Sequence, residues 1–165
     1  MKLGYTVGTP QIGKIRNGKY AAFLASGYAA KDIVSSDNTT ALYVYDLGNG
    51  GGSLIKKIEA PGGKGGLSSP RWWIKIWTHC RYRLCRRPGG NMYRFDLSGD
   101  NPSKWTVRTI FQGTKPITSA PAVSRLADKR VVIFGTGSDL SEQDVVDKDQ
   151  QYIYGIFDDD KGRLR

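Results

Sequence analysis

A short strand pattern returns along this chain, and it limits the fold more than any other feature. Tyr43-Val44-Tyr45-Asp46-Leu47 comes back as Tyr93-Arg94-Phe95-Asp96-Leu97, and more loosely as Gly155-Ile156-Phe157-Asp158. The run YAAFLASG, Tyr20 to Gly27, returns as RVVIFGTG, Arg130 to Gly137, with Gly27 matching Gly137. Thr9-Pro10, Ser69-Pro70 and Ala120-Pro121 stand at corresponding places before these runs. Outer strands follow at Leu54 to Ile58 and at Trp105 to Phe111. Repeating units of roughly 50–60 residues, each of four short strands, are the signature of propeller blades. The pattern predicts an all-β chain, a β-propeller fragment of two to three blades of four-stranded antiparallel sheet. The blades fall at about residues 5–60, 67–112 and 117–165, the third incomplete.

The local signals agree with strands and turns. Asn17-Gly18 predicts a two-residue hairpin turn, since both residue types tolerate positive φ. Tyr20 to Ala25 is short and nearly continuously apolar, as buried strands are. Ala29 to Thr40 reads as polar loop and Ala41 to Leu47 as the next strand. Ser53 to Glu59 alternates as a half-exposed outer strand, and Pro61 to Gly66 reads as a glycine-rich connector. No helical period of any length is present. Ser141 to Gln150 has room for one short helical turn, with Ser141 and Asp144 resembling a cap.

One stretch breaks the pattern. Arg71 to Pro88, RWWIKIWTHCRYRLCRRP, holds three of the four Trp, both Cys and the only His. It carries Arg71, Lys75, Arg81, Arg83, Arg86 and Arg87, and no carboxylate. Tryptophan has a single codon, so part of the gene can be recovered from the protein. Trp72-Trp73-Ile74 requires TGG TGG AT, and the frame starting at each last base spells Val-Asp. Continuing through Thr78, that frame reads Val-Asp-(Lys/Gln)-(Asp/Asn)-(Leu/Met)-Asp. This is D-x-[DN]-x-D, the opening of an oxygen-ligand calcium loop. In the remaining frame, Cys80 to Pro88 permits Val-Asp-Ile-Ala-Tyr-Ala-Gly-Asp-Arg, a strand followed by a turn. Three single-base losses produce the observed text, leave the chain one residue short and restore the frame before Gly90. Arg71 to Pro88 therefore reads as frame-shifted text, and the calcium loop falls at the first hairpin of the middle repeat. No calcium-ligating residue is intact there.

This reading removes most of the usual inferences from composition. The formal net charge of +10 suggests an anionic partner such as nucleic acid. Replacing the stretch with the hidden text removes about nine charge units and leaves the chain near neutral. A basic nucleic-acid-binding domain, in which the Arg, Trp and Tyr side chains contact phosphates and stack on bases, stands only if Arg71 to Pro88 is native text. Without Cys80 and Cys85 the chain holds no cysteine, so cysteine usage does not report the redox compartment. His79, Cys80 and Cys85 make a poor zinc set, because the C-x4-C spacing is unfavourable and a fourth ligand is missing. Asp144, Asp147 and Asp149 have carboxylate spacing without the glycine turn of a calcium loop, and read as a solvated surface loop. Asp158-Asp159-Asp160 reads as a hairpin cap with Lys161-Gly162 as its turn. Tyr43, Tyr45, Tyr93 and Phe95 read as packing between blades. No nucleophile–base pair is present, so the chain reads as a non-enzyme; a quinoprotein-like propeller enzyme matches the strands but not the catalytic residues. Met1-Lys2 is followed by no apolar run, so neither a signal peptide nor a membrane span is read.

Longer strings now become recognisable. LGYTVGTPQIG, GKYAAFLASGY, TALYVYDLGNG, GGNMYRFDLS, TIFQGTKPITSAPAVSRLADKRVVIFGTGSDLSE and QYIYGIFDDD closely resemble the C-terminal propeller of PilC/PilY-type type IV pilus adhesins. The resemblance covers nearly the whole chain outside Arg71 to Pro88. It implies a secreted, pilus-associated adhesin exposed at the cell surface or pilus tip. Its modified β-propeller binds calcium, which tunes pilus extension against retraction. The implied partners are pilus components and a host-cell receptor.

Overall fold

The computed structural model describes residues 8–28, 39–48, 51–64, 66–67, 73–75, 79–82, 90–127, 129–139 and 142–158. Their strands are β1 (Gln11–Lys14), β2 (Tyr20–Ala25), β3 (Gly27–Tyr28), β4 (Thr39–Asp46), β5 (Ser53–Lys64), β6 (Gly66–Leu67), β7 (Trp73–Lys75), β8 (His79–Tyr82), β9 (Met92–Asp96), β10 (Thr106–Phe111), β11 (Ala122–Leu126), β12 (Lys129–Gly135) and β13 (Ile153–Asp158). The first sheet has the order β1-β2-β4-β5 and the second β7-β8-β9-β10. The third is β11-β12-β13, and β3 pairs with β6. All pairings within these sheets are antiparallel. The expectation of an all-β chain holds: the α-helix among the described residues is a single turn, Glu142–Val146.

Several local expectations are corrected. The β1–β2 loop is not a two-residue turn. Gly18 N–H donates to Ile15 C=O at 3.0 Å and Ile15 N–H to Lys19 C=O at 2.9 Å. Gly18 alone in this loop has positive φ, +89°. This is a three-residue loop with glycine at the left-handed position, and Asn17 serves instead through its side chain, which accepts from Lys19 N–H at 3.1 Å. The hairpin that the third repeat places near Asp128-Lys129 is present: β11 and β12 close on the pair Leu126↔Lys129, with Ala127 in the turn at φ +54°. The connector expected at Pro61 to Gly66 is largely strand, because β5 continues to Lys64 and pairs there with Thr39. Thr39 and Thr40, expected as loop, open β4.

Six cations and three Trp in one stretch predict that Arg71 to Pro88 is pushed out as an irregular, exposed segment or packs with few partners. Its described residues are not irregular and form the first two strands of the second sheet, with Trp73↔Arg81, Ile74↔Cys80 and Lys75↔His79 in register. Arg81↔Asp96 and Tyr82↔Phe95 continue the sheet into β9. The physical reason is the neighbouring strand: β9 would otherwise leave a row of unpaired backbone groups at its edge, and backbone pairing is indifferent to side-chain identity.

Two cores lie between the sheets. The first joins Phe23, Leu42 and Val44 of the first sheet to Tyr93, Phe95, Leu97 and Trp105 of the second region. The second joins Met92 to Ile117, Val132 and Phe134, with Phe111 and Tyr154 packed on it. Strand alternation explains the division, since Tyr93 and Phe95 project to one face of β9 and Met92 to the other. Each fully buried large apolar side chain, such as Phe23 or Phe95, contributes about 1.5–3 kcal/mol. At the second interface Phe111 meets Phe134 edge-on at 5.0 Å and Tyr154 at 4.7 Å between ring centroids.

Candidate functional site

The middle hairpin is the place where the hidden calcium loop was read. The structure puts the connection between β7 and β8 at residues 76–78, whereas the hidden D-x-[DN]-x-D text begins at Trp73–Ile74, on β7, and runs through that connection. Residues 71–72, 76–78 and 83–89 lie outside the described residues, so the connection itself does too. The flanking strands are described. They form the first hairpin of their sheet, as β1–β2 and β11–β12 do in theirs.

Beyond that hairpin, the carboxylates of the described residues do not converge. Among the described residues no three His, Cys, Asp or Glu side chains come together in a metal-sized group. Asp46 and Asp96 end the corresponding strands β4 and β9. Each turns its own backbone: Asp46 accepts from Gly48 N–H at 2.8 Å, and Asp96 from Ser98 N–H at 3.0 Å. Asp46 also accepts from Lys19 Nζ at 2.7 Å. That hydrogen bond, followed by the one from Gly48, holds its carboxyl below the ordinary value.

Asp144 is corrected from the solvated loop expected for it. It is buried in the helical turn and accepts from Ser138 Oγ at 2.8 Å. Asp147 and Asp149 are exposed as expected; Asp147 accepts from Asp149 N–H at 2.8 Å, and Asp149 pairs with Lys115. Hydrogen bonding to Asp149 raises the Lys115 pKa. Ser141 lies outside the described residues, so the cap read there does too.

Asp159, Asp160 and the turn read at Lys161-Gly162 lie outside the described residues, so the hairpin cap read there does too. Asp158 is the buried last residue of β13, with its side chain 1% exposed. Arg94 Nη1 on β9 reaches its Oδ1 at 2.9 Å and Arg108 Nη2 on β10 reaches the same oxygen at 3.2 Å. Arg130 Nε on β12 stands 3.4 Å from Oδ2. Guanidinium groups thus occupy both carboxylate oxygens, which suits a charge-assisted tie between sheets and not cation binding. Sequence reading passed over this cluster, although Arg94 carried a signal. It takes the place of Val44 in the returning strand pattern, a cation in an otherwise apolar strand.

The four aromatic positions separate. Tyr93 and Phe95 pack between the first and second sheets. Tyr43 pairs in register with Lys57, whose Nζ lies 5.9 Å from the ring centroid, and burial pushes the Tyr43 phenol up. His79 and Cys80 are neighbours on β8, and Cys85 lies outside the described residues.

Antiparallel sheets of short strands, stacked face against face about two successive cores, define a β-propeller segment. The family model of the PilY1 beta-propeller domain matches residues 1–165, and the chain belongs to that family. It is similar to the type IV pilus biogenesis factor PilY1 of Pseudomonas aeruginosa PAO1, with 29% identity over 94% of this chain and 16% of the relative. A PilY1 homologue of Xylella fastidiosa is 28% identical over 94% of this chain and 12% of its own length. The crystal structure of the P. aeruginosa PilY1 C-terminal domain superposes with a TM-score of 0.75 at 24% identity, over 98% of this chain and 39% of that one. The chain therefore spans only a minor part of these relatives.

Proposed function

We propose that this chain is a propeller segment of a type IV pilus-associated biogenesis factor and adhesin, exported to the cell surface or pilus tip. Its units are blades at about residues 5–60, 67–112 and 117–165. Its partners are pilus components and, through the parent protein, a host-cell receptor. In intact members the middle blade's first hairpin carries a calcium loop, and occupancy of that loop sets the balance between pilus extension and retraction. The observation that supports this reading is the family match over all 165 residues, including the interrupted stretch.

The chain as written does not bind calcium usefully under this reading. Arg and Lys occupy Arg71 to Pro88 where carboxylates are required, and repel a divalent cation. Calorimetric titration of calcium into the chain, and into the same chain with the hidden text restored, tests the proposal. Binding is expected only after restoration. Micromolar binding by the chain as written, or none by the restored chain, refutes the calcium reading. Pilus assembly in a strain lacking its own factor, complemented by the full-length parent gene with and without this segment, tests the pilus reading separately.

A further inference from the structure

The β1–β2 loop holds an Asn-Gly pair, Asn17-Gly18. Such a pair carries its own chemistry. The backbone nitrogen of the residue after asparagine can attack the side-chain Cγ, and glycine presents that nitrogen with no Cβ in the way. The surroundings add no obstacle, since even a Cβ at Gly18 would meet nothing within 4 Å. Burial does not protect the pair either, because both residues are exposed.

The loop prepares one half of this reaction and withholds the other. Asn17 Oδ1 accepts from Lys19 N–H at 3.1 Å. That donor polarises the side-chain amide and stands where negative charge develops during attack. The attacking nitrogen is held back. Gly18 N–H donates to Ile15 C=O at 3.0 Å, and its proton must leave before the nitrogen can attack. Ile15 keeps that carbonyl in place. Its side chain is buried in the first core, and its own N–H donates to Lys19 C=O at 2.9 Å.

We propose that Asn17 is a self-modification site gated by the β1–β2 loop: inert while Gly18 N–H is bonded to Ile15, and converted once that bond opens. On opening, the Gly18 amide proton passes to solvent base, and Gly18 N forms a bond to Asn17 Cγ. The Cγ–Nδ2 bond breaks, and the side-chain nitrogen leaves as ammonia. Water then opens the cyclic imide at either carbonyl, leaving aspartate or isoaspartate. The net change is amide plus water to carboxylate plus ammonia, with nothing oxidised or reduced.

The product acts on a contact between sheets. Arg16, next to Asn17, meets Asp100 Oδ1 through Nε at 2.8 Å and donates from Nη1 to Ser98 C=O at 3.3 Å. Both partners lie in the β9–β10 connection of the second sheet. A new carboxylate at position 17 competes with Asp100 for Arg16, and isoaspartate also lengthens the backbone of a three-residue loop. Conversion thus marks, irreversibly, a chain whose first hairpin has opened.

The test is peptide mapping by mass spectrometry after incubation at mildly alkaline pH. It reads the mass gain of NH2 replaced by OH at Asn17, apart from the other Asn-Gly pair, Asn49-Gly50. The folded chain is compared with the same chain in urea and with a synthetic peptide of residues 12–22. Conversion in the folded chain should be at least about tenfold slower than in the peptide, the factor set by a local opening cost of about 1.4 kcal/mol. Urea should bring the chain to the peptide's rate. Ile15→Val and Ile15→Ala loosen the anchor and should speed conversion in that order, with sheet content checked by circular dichroism. A folded chain that converts as fast as the peptide overturns the gate. So does a folded Ile15→Val or Ile15→Ala chain that converts no faster than the unsubstituted one. A peptide that does not convert overturns the site itself.

Discussion

Arg94 Nη1 and Asp158 Oδ1 meet at 2.9 Å, with the Arg94 side chain 4% exposed and that of Asp158 1%. The two residues are 64 positions apart and belong to different sheets. A pair this buried carries a large desolvation cost, so it adds little net stability over an apolar pair, but removing one partner strands the other. Asp158→Ala is therefore expected to destabilise the chain by about 3–5 kcal/mol. Arg94→Leu combined with Asp158→Leu is expected to cost far less than the two single changes added together. Urea unfolding of the four proteins in a double-mutant cycle reads the coupling; additive single changes would show that the pair is not a tie between sheets.

Phe134 provides an independent probe of the same interface. It is buried against Phe111 and stacks on Tyr154 at 5.5 Å. Phe134→Ala should cost about 3–5 kcal/mol, since it leaves a cavity between sheets. Phe134→Leu should recover much of the loss. Thermal melts followed by near-ultraviolet dichroism report both the stability and the loss of the ring cluster, and a melting point unchanged in Phe134→Ala would contradict the packing.

Gly90 is held by a close approach. A Cβ placed there would lie 1.8 Å from the Lys115 carbonyl oxygen and 3.2 Å from Ile117. The obstacle is backbone, so relief requires moving the chain before β9 away from the residues after β10. Gly90→Ala is expected to lower the denaturation midpoint clearly, whereas Gly18→Ala, which meets nothing within 4 Å, should incur only the milder cost of positive φ, about 1 kcal/mol. Chemical denaturation of the two variants side by side decides; equal losses would mean that the Lys115 contact does not constrain the fold.

Asp46 supplies a pH dependence. Its folded pKa is depressed below 3.8 by Lys19 and then by Gly48 N–H. The associated stability is present above that ordinary value and is lost as pH falls through the lower folded value. The melting temperature of the chain minus that of Asp46→Asn should be constant near neutrality and shrink on acidification below pH 3.8. Added salt should shrink it as well, because the Lys19 partner is exposed. A difference that grows on acidification would reverse the assignment.

The fold was legible because its signals are local. The strands around Tyr43 and Tyr93 alternate or run apolar, and glycine marks their ends. Gly27 and Gly137, matched in the sequence, both adopt positive φ, +75° and +130°; Gly27 pairs with Leu67 of β6, and Gly137 makes an isolated parallel bridge to Ile117. The Asp158 cluster was not legible, because its members come from four strands of two sheets and no spacing encodes them. Asp144 was misread for a related reason: an acidic loop looks solvated until one residue finds Ser138. The pairing of β7 and β8 was missed because side-chain chemistry was weighed against burial, while the backbone demand of β9 carried no visible mark in the text.

β9 is a wall shared by two rooms. Met92 faces one core and Tyr93 and Phe95 the other, while Arg94 reaches Asp158. Adding or deleting a single residue within these five would exchange the tenants of both rooms and eject Arg94 from its partner. On the frame-shift reading, the net loss of one residue falls upstream, in Arg71 to Pro88, and the frame returns before Gly90. The odd–even parity of β9 is therefore the same in the written and the restored text, and restoring the hairpin leaves both cores with their present side chains.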